Sequence, residues 1–288
     1  MNRNILLILI ISLGSKMYSQ QTDTFSFDYM LAPIGNNDVD ANKTSLAFSL
    51  PVVWNDLTLI TTAGFDYSRF TYLNSLGFET GSLENMYNTY INLDFTYHLS
   101  EKWAFSTDFN TAIISTLTEP VTSEDVFFTG GLFVIKNGGT ENLPTQIKAG
   151  LGYYNFTGIP QILPVVSFSQ QLDENLFYKI GFPETLITYS LNQRSRINAV
   201  AQLDGYYAHL SNPVILQTTN ATNASVSSTT LSLGYEYDMD EYWSYNFKAG
   251  YLIDNDYDLR DSADDKIYSF DMPTRPFFST GIKFNLKH

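Results

Sequence analysis

The chain has 288 residues, a formal net charge of −14, no cysteine and three histidines. Aromatic residues make up 15% of it and charged residues 16%, against about 25% charged in an ordinary soluble domain. This composition excludes disulfides, thiolate metal sites and a cysteine nucleophile, makes a histidine-rich metal site improbable, and argues against nucleic-acid binding, which needs clustered positive charge.

The N-terminus combines a basic residue, Arg3, with the apolar run Ile5–Leu13 and a short polar stretch up to Gln21. This three-part pattern predicts a secretory signal peptide over residues 1–19, cut near Ser19. The run is shorter than the roughly 20 apolar residues that a membrane-spanning helix needs. Removing residues 1–19 takes away Arg3 and Lys16 and no acid, leaving a net charge of −16. Residues 20–288 then form one domain.

From Asp23 onward the periodic signal is alternation. Tyr87, Ile91, Leu93, Phe95 and Tyr97 alternate with Asn88, Asn92, Asp94 and Thr96; Trp103, Phe105 and Phe109 with Ala104, Ser106 and Asp108; Leu231, Leu233, Tyr235 and Tyr237 with Ser232, Gly234 and Glu236. Successive side chains on a strand point to opposite faces, so each segment has an apolar and a polar face. Fourteen strands are expected: 24–33, 43–53, 57–68, 86–99, 103–115, 125–136, 145–155, 162–171, 176–182, 185–191, 196–209, 228–238, 242–253 and 276–287. Twelve is the alternative, because 176–182 and 185–191 fall short of the roughly 9–11 residues a tilted spanning strand needs.

A secreted sandwich that binds a ligand or surface would bury the apolar faces; a transmembrane barrel would turn them to lipid. Strand length, polar faces rich in Asn, Ser, Thr and Gly, and aromatics at strand ends favour the all-β, antiparallel, up-and-down transmembrane barrel. A short pattern recurs at strand ends: YHLSEKW at 97–103, QQLDENL at 170–176, YSLNQRS at 189–195 and YDMDEYW at 237–243. These read as tight turns, with Tyr97, Trp103, Tyr237 and Trp243 forming an aromatic girdle on the periplasmic side. Longer acidic connections are expected at Gly35–Ala41, Arg69–Met86, Ser115–Glu124, Leu210–Ser228 and Asp254–Pro276.

The signal segment, the absence of cysteine, the YxLxExW-type hairpins and the last strand Phe278–Leu286 resemble an uncharacterised family of outer-membrane β-barrel proteins of Gram-negative bacteria. The resemblance covers residues 20–288. It implies location in the outer membrane, contact with its lipid and lipopolysaccharide, and recognition of the last strand (Ile282, Phe284, Leu286) by the barrel assembly machinery during biogenesis. The final Lys287-His288 departs from the aromatic ending usual in such proteins.

Three sets of residues carry candidate chemistry. His209 and Ser211, expected on the lipid face at the outer rim in the stretch His209-Leu210-Ser211-Asn212, resemble the arrangement of outer-membrane phospholipase A, with the third member to come from a neighbour, Asn220 or Asn223; the ordinary reading is a polar loop start. Asp254, Asp256 and Asp258 alternate like part of a calcium loop, but Leu259 stands where that loop demands glycine, so a solvated acidic loop is expected. Asp66, Asp94, Asp108, Asp204 and Glu236, with Lys148, Lys179, Arg196, Lys248 and Lys283, face inward on parity and suggest a paired network in a filled or narrow lumen. No phosphate loop, dinucleotide fingerprint or HExxH motif is present. The expectation is a structural barrel or narrow passive pore with no cofactor, a lipid hydrolase using His209 and Ser211 being the enzymatic alternative. The small-molecule cargo is not legible in the residues.

Overall fold

The computed structural model describes residues 23–32, 39–72, 76–216 and 219–286. The expected signal peptide lies outside them. The strands are β1 (Phe25–Leu31), β2 (Val39–Trp54), β3 (Leu57–Tyr72), β4 (Asn85–His98), β5 (Trp103–Ser115), β6 (Val126–Gly139), β7 (Pro144–Tyr154), β8 (Gln161–Gln171), β9 (Leu176–Phe182), β10 (Glu184–Asn192), β11 (Ser195–Leu216), β12 (Thr219–Asp238), β13 (Trp243–Arg260), β14 (Lys266–Phe270) and β15 (Arg275–Phe284).

Each strand from β1 to β13 pairs antiparallel with its successor, β13 pairs with β15, and β15 pairs with β1, setting Phe284 opposite Phe25. The sheet therefore closes on itself. Strand β14 continues the same position as β15 further out along β13, so the ring has 14 positions. The twelve-strand alternative is excluded, because short β9 and β10 both take their places between β8 and β11.

Side-chain polarity is inverted relative to a soluble protein. Leu132 (69% exposed), Leu151 (61%), Ile162 (73%) and Leu233 (65%) stand on the outer wall, while Ser, Thr, Asn, Gly and the charged residues line the interior. A continuous apolar exterior of this extent is incompatible with water and suits acyl chains. Closure and inverted polarity together rule out the sandwich: this is a 14-stranded antiparallel transmembrane β-barrel.

The recurring heptapeptides form the tight turns at one end. The Asp173 carboxylate accepts the N–H groups of Asn175 and Leu176 at 2.7 and 2.9 Å, and Asp240 accepts those of Tyr242 and Trp243 at 2.8 Å. Ser100 serves Lys102 and Trp103 in the same way, and Asn192 serves Arg194. These short side chains satisfy turn donors that no strand partner reaches. Tyr97, Trp103, Tyr237 and Trp243 are exposed beside the turns, with Trp54 and Tyr189 at the same end.

The opposite end departs from expectation. Residues 210–216, 219–228 and 254–260 are strand rather than loop: β11 and β12 continue as one long hairpin, and β13 with β14 as another. The reason is burial. Ala208, Leu210, Val214, Ala221, Ala224, Tyr257, Leu259, Phe270 and Met272 pack with Val39, Phe70, Leu83, Met86, Ala112 and Ile114 into one apolar core. Each large side chain so buried contributes about 1.5–3 kcal/mol. The β11–β12 hairpin leans across the mouth until His209 pairs with Ser115 of β5, strands β6–β10 being bypassed. Those strands make a low wall: β9 and β10 meet at Phe182–Glu184, and the Pro183 carbonyl accepts Leu203 N–H at 3.1 Å.

Candidate functional site: the lumen and its seal

The interior changes character along the barrel axis. Its outer third is the apolar core just described, in which Tyr257 stacks between Phe70 and Phe270 at ring-centroid distances of 5.0 and 4.4 Å. The Tyr257 hydroxyl meets that of Tyr72 at 2.9 Å. The two hydroxyls share one hydrogen bond in this apolar setting.

A polar latch fastens the hairpin to the β5–β6 connection. The two nitrogens of His209 face Asp125 Oδ1 at 3.0 Å and Glu124 Oε2 at 3.1 Å. The Ser211 and Ser115 hydroxyls lie 2.8 Å apart, and Ser211 N–H donates to Thr116 Oγ1. Burial alone would raise the Asp125 carboxyl. Hydrogen bonds from Ser115, from Thr122 and from His209 outweigh it and hold the group below its ordinary value. The Tyr207 hydroxyl donates to Asp264 at 2.8 Å, tying the two hairpins together.

The lipid-facing placement expected of His209 is therefore corrected. It keeps its outward parity, but above the low wall that face of β11 is covered by residues 116–125. His209 is not hydrogen-bonded to Ser211: each has its own partner in the latch. The three aspartates also do not converge. Asp254 sits at an irregularity with φ of 49°, Asp258 is buried against Lys266 at 2.8 Å and Ser269 at 2.7 Å, and Asp256 stands exposed. No cluster of metal-ligating side chains occurs among the described residues.

Below the core, Lys43 reaches across the lumen to Asp204 at 3.5 Å and stands 4.0 Å from Asp66 on the neighbouring strand. Beneath this tie the wall carries charges of both signs. Arg196 binds Glu236 at 2.8 Å and Asp238 at 2.6 Å; Lys283 binds Glu236 and Asp23, each at 3.1 Å; Lys179 binds Glu184 at 2.9 Å. Lys248 stands 3.9 Å from Asp28. Asp108 accepts the Tyr154 hydroxyl at 2.8 Å, Asp94 accepts from the Asn92 amide, and Lys148 lies 3.9 Å over the Phe133 ring. Ten of these charged residues are the ones that parity assigns to the lumen. Parity on Ser45 and Ala47 would also have found Lys43. The latch partners Glu124, Asp125 and Ser115 had no such signal, because they meet His209 only through the lean of the hairpin.

A cavity of about 390 Å³ opens on the inner wall between Glu184, Arg196, Glu236, Asn246, Lys248 and Lys283. A larger concavity of about 580 Å³ lies on the outer wall over Ala199, Ala201 and Ala249. It faces the acyl-chain layer, away from every charge named above.

The family model for a domain of unknown function, DUF6268, matches residues 53–285. The chain belongs to the DUF6268 family. The match runs from the end of β2 through β15, so it covers almost the whole barrel. No curated protein matches the sequence. Among solved structures, the chain is similar to the NanC porin (11% identity, TM-score 0.44, 91% of this chain and 100% of that one). It is also similar to the KdgM porin in complex with disordered oligogalacturonate (10%, 0.40, 91% and 99%). A third similarity is to outer membrane phospholipase A from Escherichia coli (11%, 0.37, 92% and 93%).

Proposed function

We propose that this DUF6268 protein is an integral β-barrel of the bacterial outer membrane that serves as a closed structural element, with a vestibule open toward the periplasm. One observation carries the reading: the apolar core of Tyr257, Leu210, Phe70 and Met86 fills the outer mouth. Water and ions do not cross a close-packed apolar layer, since no void there holds hydrogen-bonding partners for them. The Lys43–Asp204 tie narrows the path directly beneath it. The outer wall supports residence among acyl chains and lipopolysaccharide, and the last strand supports insertion by the barrel assembly machinery. On this reading the protein is not an enzyme, and His209 and Ser211 serve the latch.

Liposome swelling tests it. Proteoliposomes in isotonic arabinose are expected to swell no faster than empty liposomes; fast, protein-dependent swelling would contradict the seal.

A further inference from the structure

Strand β13 sends Ser244, Asn246 and Lys248 into the vestibule. Asn246 is 2% exposed and Ser244 3%, yet neither end of the Asn246 amide nor the Ser244 hydroxyl has a hydrogen-bond partner. Buried polar groups are seldom left so, and such orphans point to a missing ligand or ordered water. The strands on either side make room for them. Gly234 stands opposite Lys248 and Gly281 opposite Asn246. A Cβ at Gly234 would come 3.3 Å from Lys248 Cγ, and one at Gly281 2.5 Å from Asp28 Oδ1 and 2.8 Å from Asn246 Nδ2. The lysine stem and the amide therefore lie flat across two glycines and leave the 390 Å³ cavity in front of them.

The two acids that line this cavity are already engaged: Glu236 accepts Arg196 and Lys283, and Glu184 accepts Lys179, while Asp28 Oδ1 beside it is buried without a hydrogen-bond partner. Lys248 differs. Its ammonium is 3.9 Å from Asp28, beyond hydrogen-bond reach, and its side chain is 43% exposed. A cation with donors to spare stands beside an unpartnered amide.

We propose that this wall is a binding site for a small organic carboxylate that enters from the short-turn end. Lys248 and Asn246 Nδ2 supply donors to the carboxylate, while Asn246 Oδ1 meets a hydroxyl or amine next to it. The volume, at the lower end of small-molecule pockets, fits a compact acid rather than a polymer. The periplasmic entry rests on the closed-barrel reading above; the site itself does not.

The test is a titration of the full-length mature barrel in detergent micelles with L-lactate, at constant ionic strength, following the Asn246 side-chain amide by NMR. A saturable shift is expected, with L-lactamide and chloride giving none. Lys248→Met should weaken binding about tenfold, as loss of one charge-assisted bond does, and Asn246→Asp should abolish it, both variants keeping heat-modifiable gel migration. No saturable shift with lactate, the same shift with chloride, or unchanged affinity in Lys248→Met would overturn the site. An open channel in swelling assays would contradict the seal and leave this titration intact, so the two readings fail separately.

Discussion

Lys43 and Asp204, 161 positions apart in sequence, meet 3.5 Å apart across the lumen. They belong to β2 and β11, which are not neighbours in the ring, so the pair braces opposite walls. Both side chains keep partial exposure, at 24% and 43%, which screens their attraction. Lys43→Met should lower stability by about 1 kcal/mol, and a double-mutant cycle with Asp204→Asn should give a coupling of roughly 0.5–1 kcal/mol. Urea unfolding in micelles reads it; zero coupling would show that the brace carries no energy.

Leu210 is fully buried in the seal. Truncation to alanine should cost the hairpin about 2–5 kcal/mol, the range for cavity-forming changes in a core. The loss should be local. Amides of residues 205–227 should exchange faster, while those of β3–β8 keep their protection. Uniform loss of protection across the barrel would mean that the outer core is not a separate unit.

Asp125 gives the latch an acid limit. Its carboxyl is held below the ordinary value of 3.8, so the folded state binds fewer protons than the unfolded one. The stabilisation is therefore fully present above the ordinary carboxylate range and is lost as pH falls through the lower, folded value. Proteolysis of the 205–227 hairpin by an acid-active protease should rise steeply below about pH 4. In Asp125→Asn the step should vanish and cleavage should be raised throughout. A step that persists in this variant would assign the titration elsewhere.

The tight turns have their own test. Asp173→Ala removes the acceptor of two backbone N–H groups and should cost about 1 kcal/mol, read as a lower urea midpoint with an unchanged slope. Asp173→Asn, which keeps the accepting oxygen, should recover most of it. Equal losses in both variants would point to charge rather than turn geometry.

Parity explains what was legible in the residues and what was not. A one-residue slip turns every side chain to the wrong face, so alternation from Trp103 to Ile113 or from Leu231 to Tyr237 fixes both the strand and its inward set. The ten charges assigned to the lumen rest on that same parity. The turns were legible because Ser100, Asp173, Asn192 and Asp240 bond locally. The seal was not. Residues 219–228 read TNATNASVSS, a composition that suits a loop as well as a strand. They become strand because Ala221 and Ala224 bury in the outer apolar core and because β11 pairs with them on both sides of an irregularity between His209 and Val214. His209 shows the same limit: its parity was right, but what covers that face depends on a connection 84 residues away.

Single-channel recording in planar bilayers tests the closed barrel most directly. The native protein should give no large stable conductance steps, and a variant with residues 205–227 replaced by a short Gly-Ser link should give them. Large stable steps from the native protein would show that a water-filled path runs past Tyr257 and Leu210, and the seal would have to be abandoned.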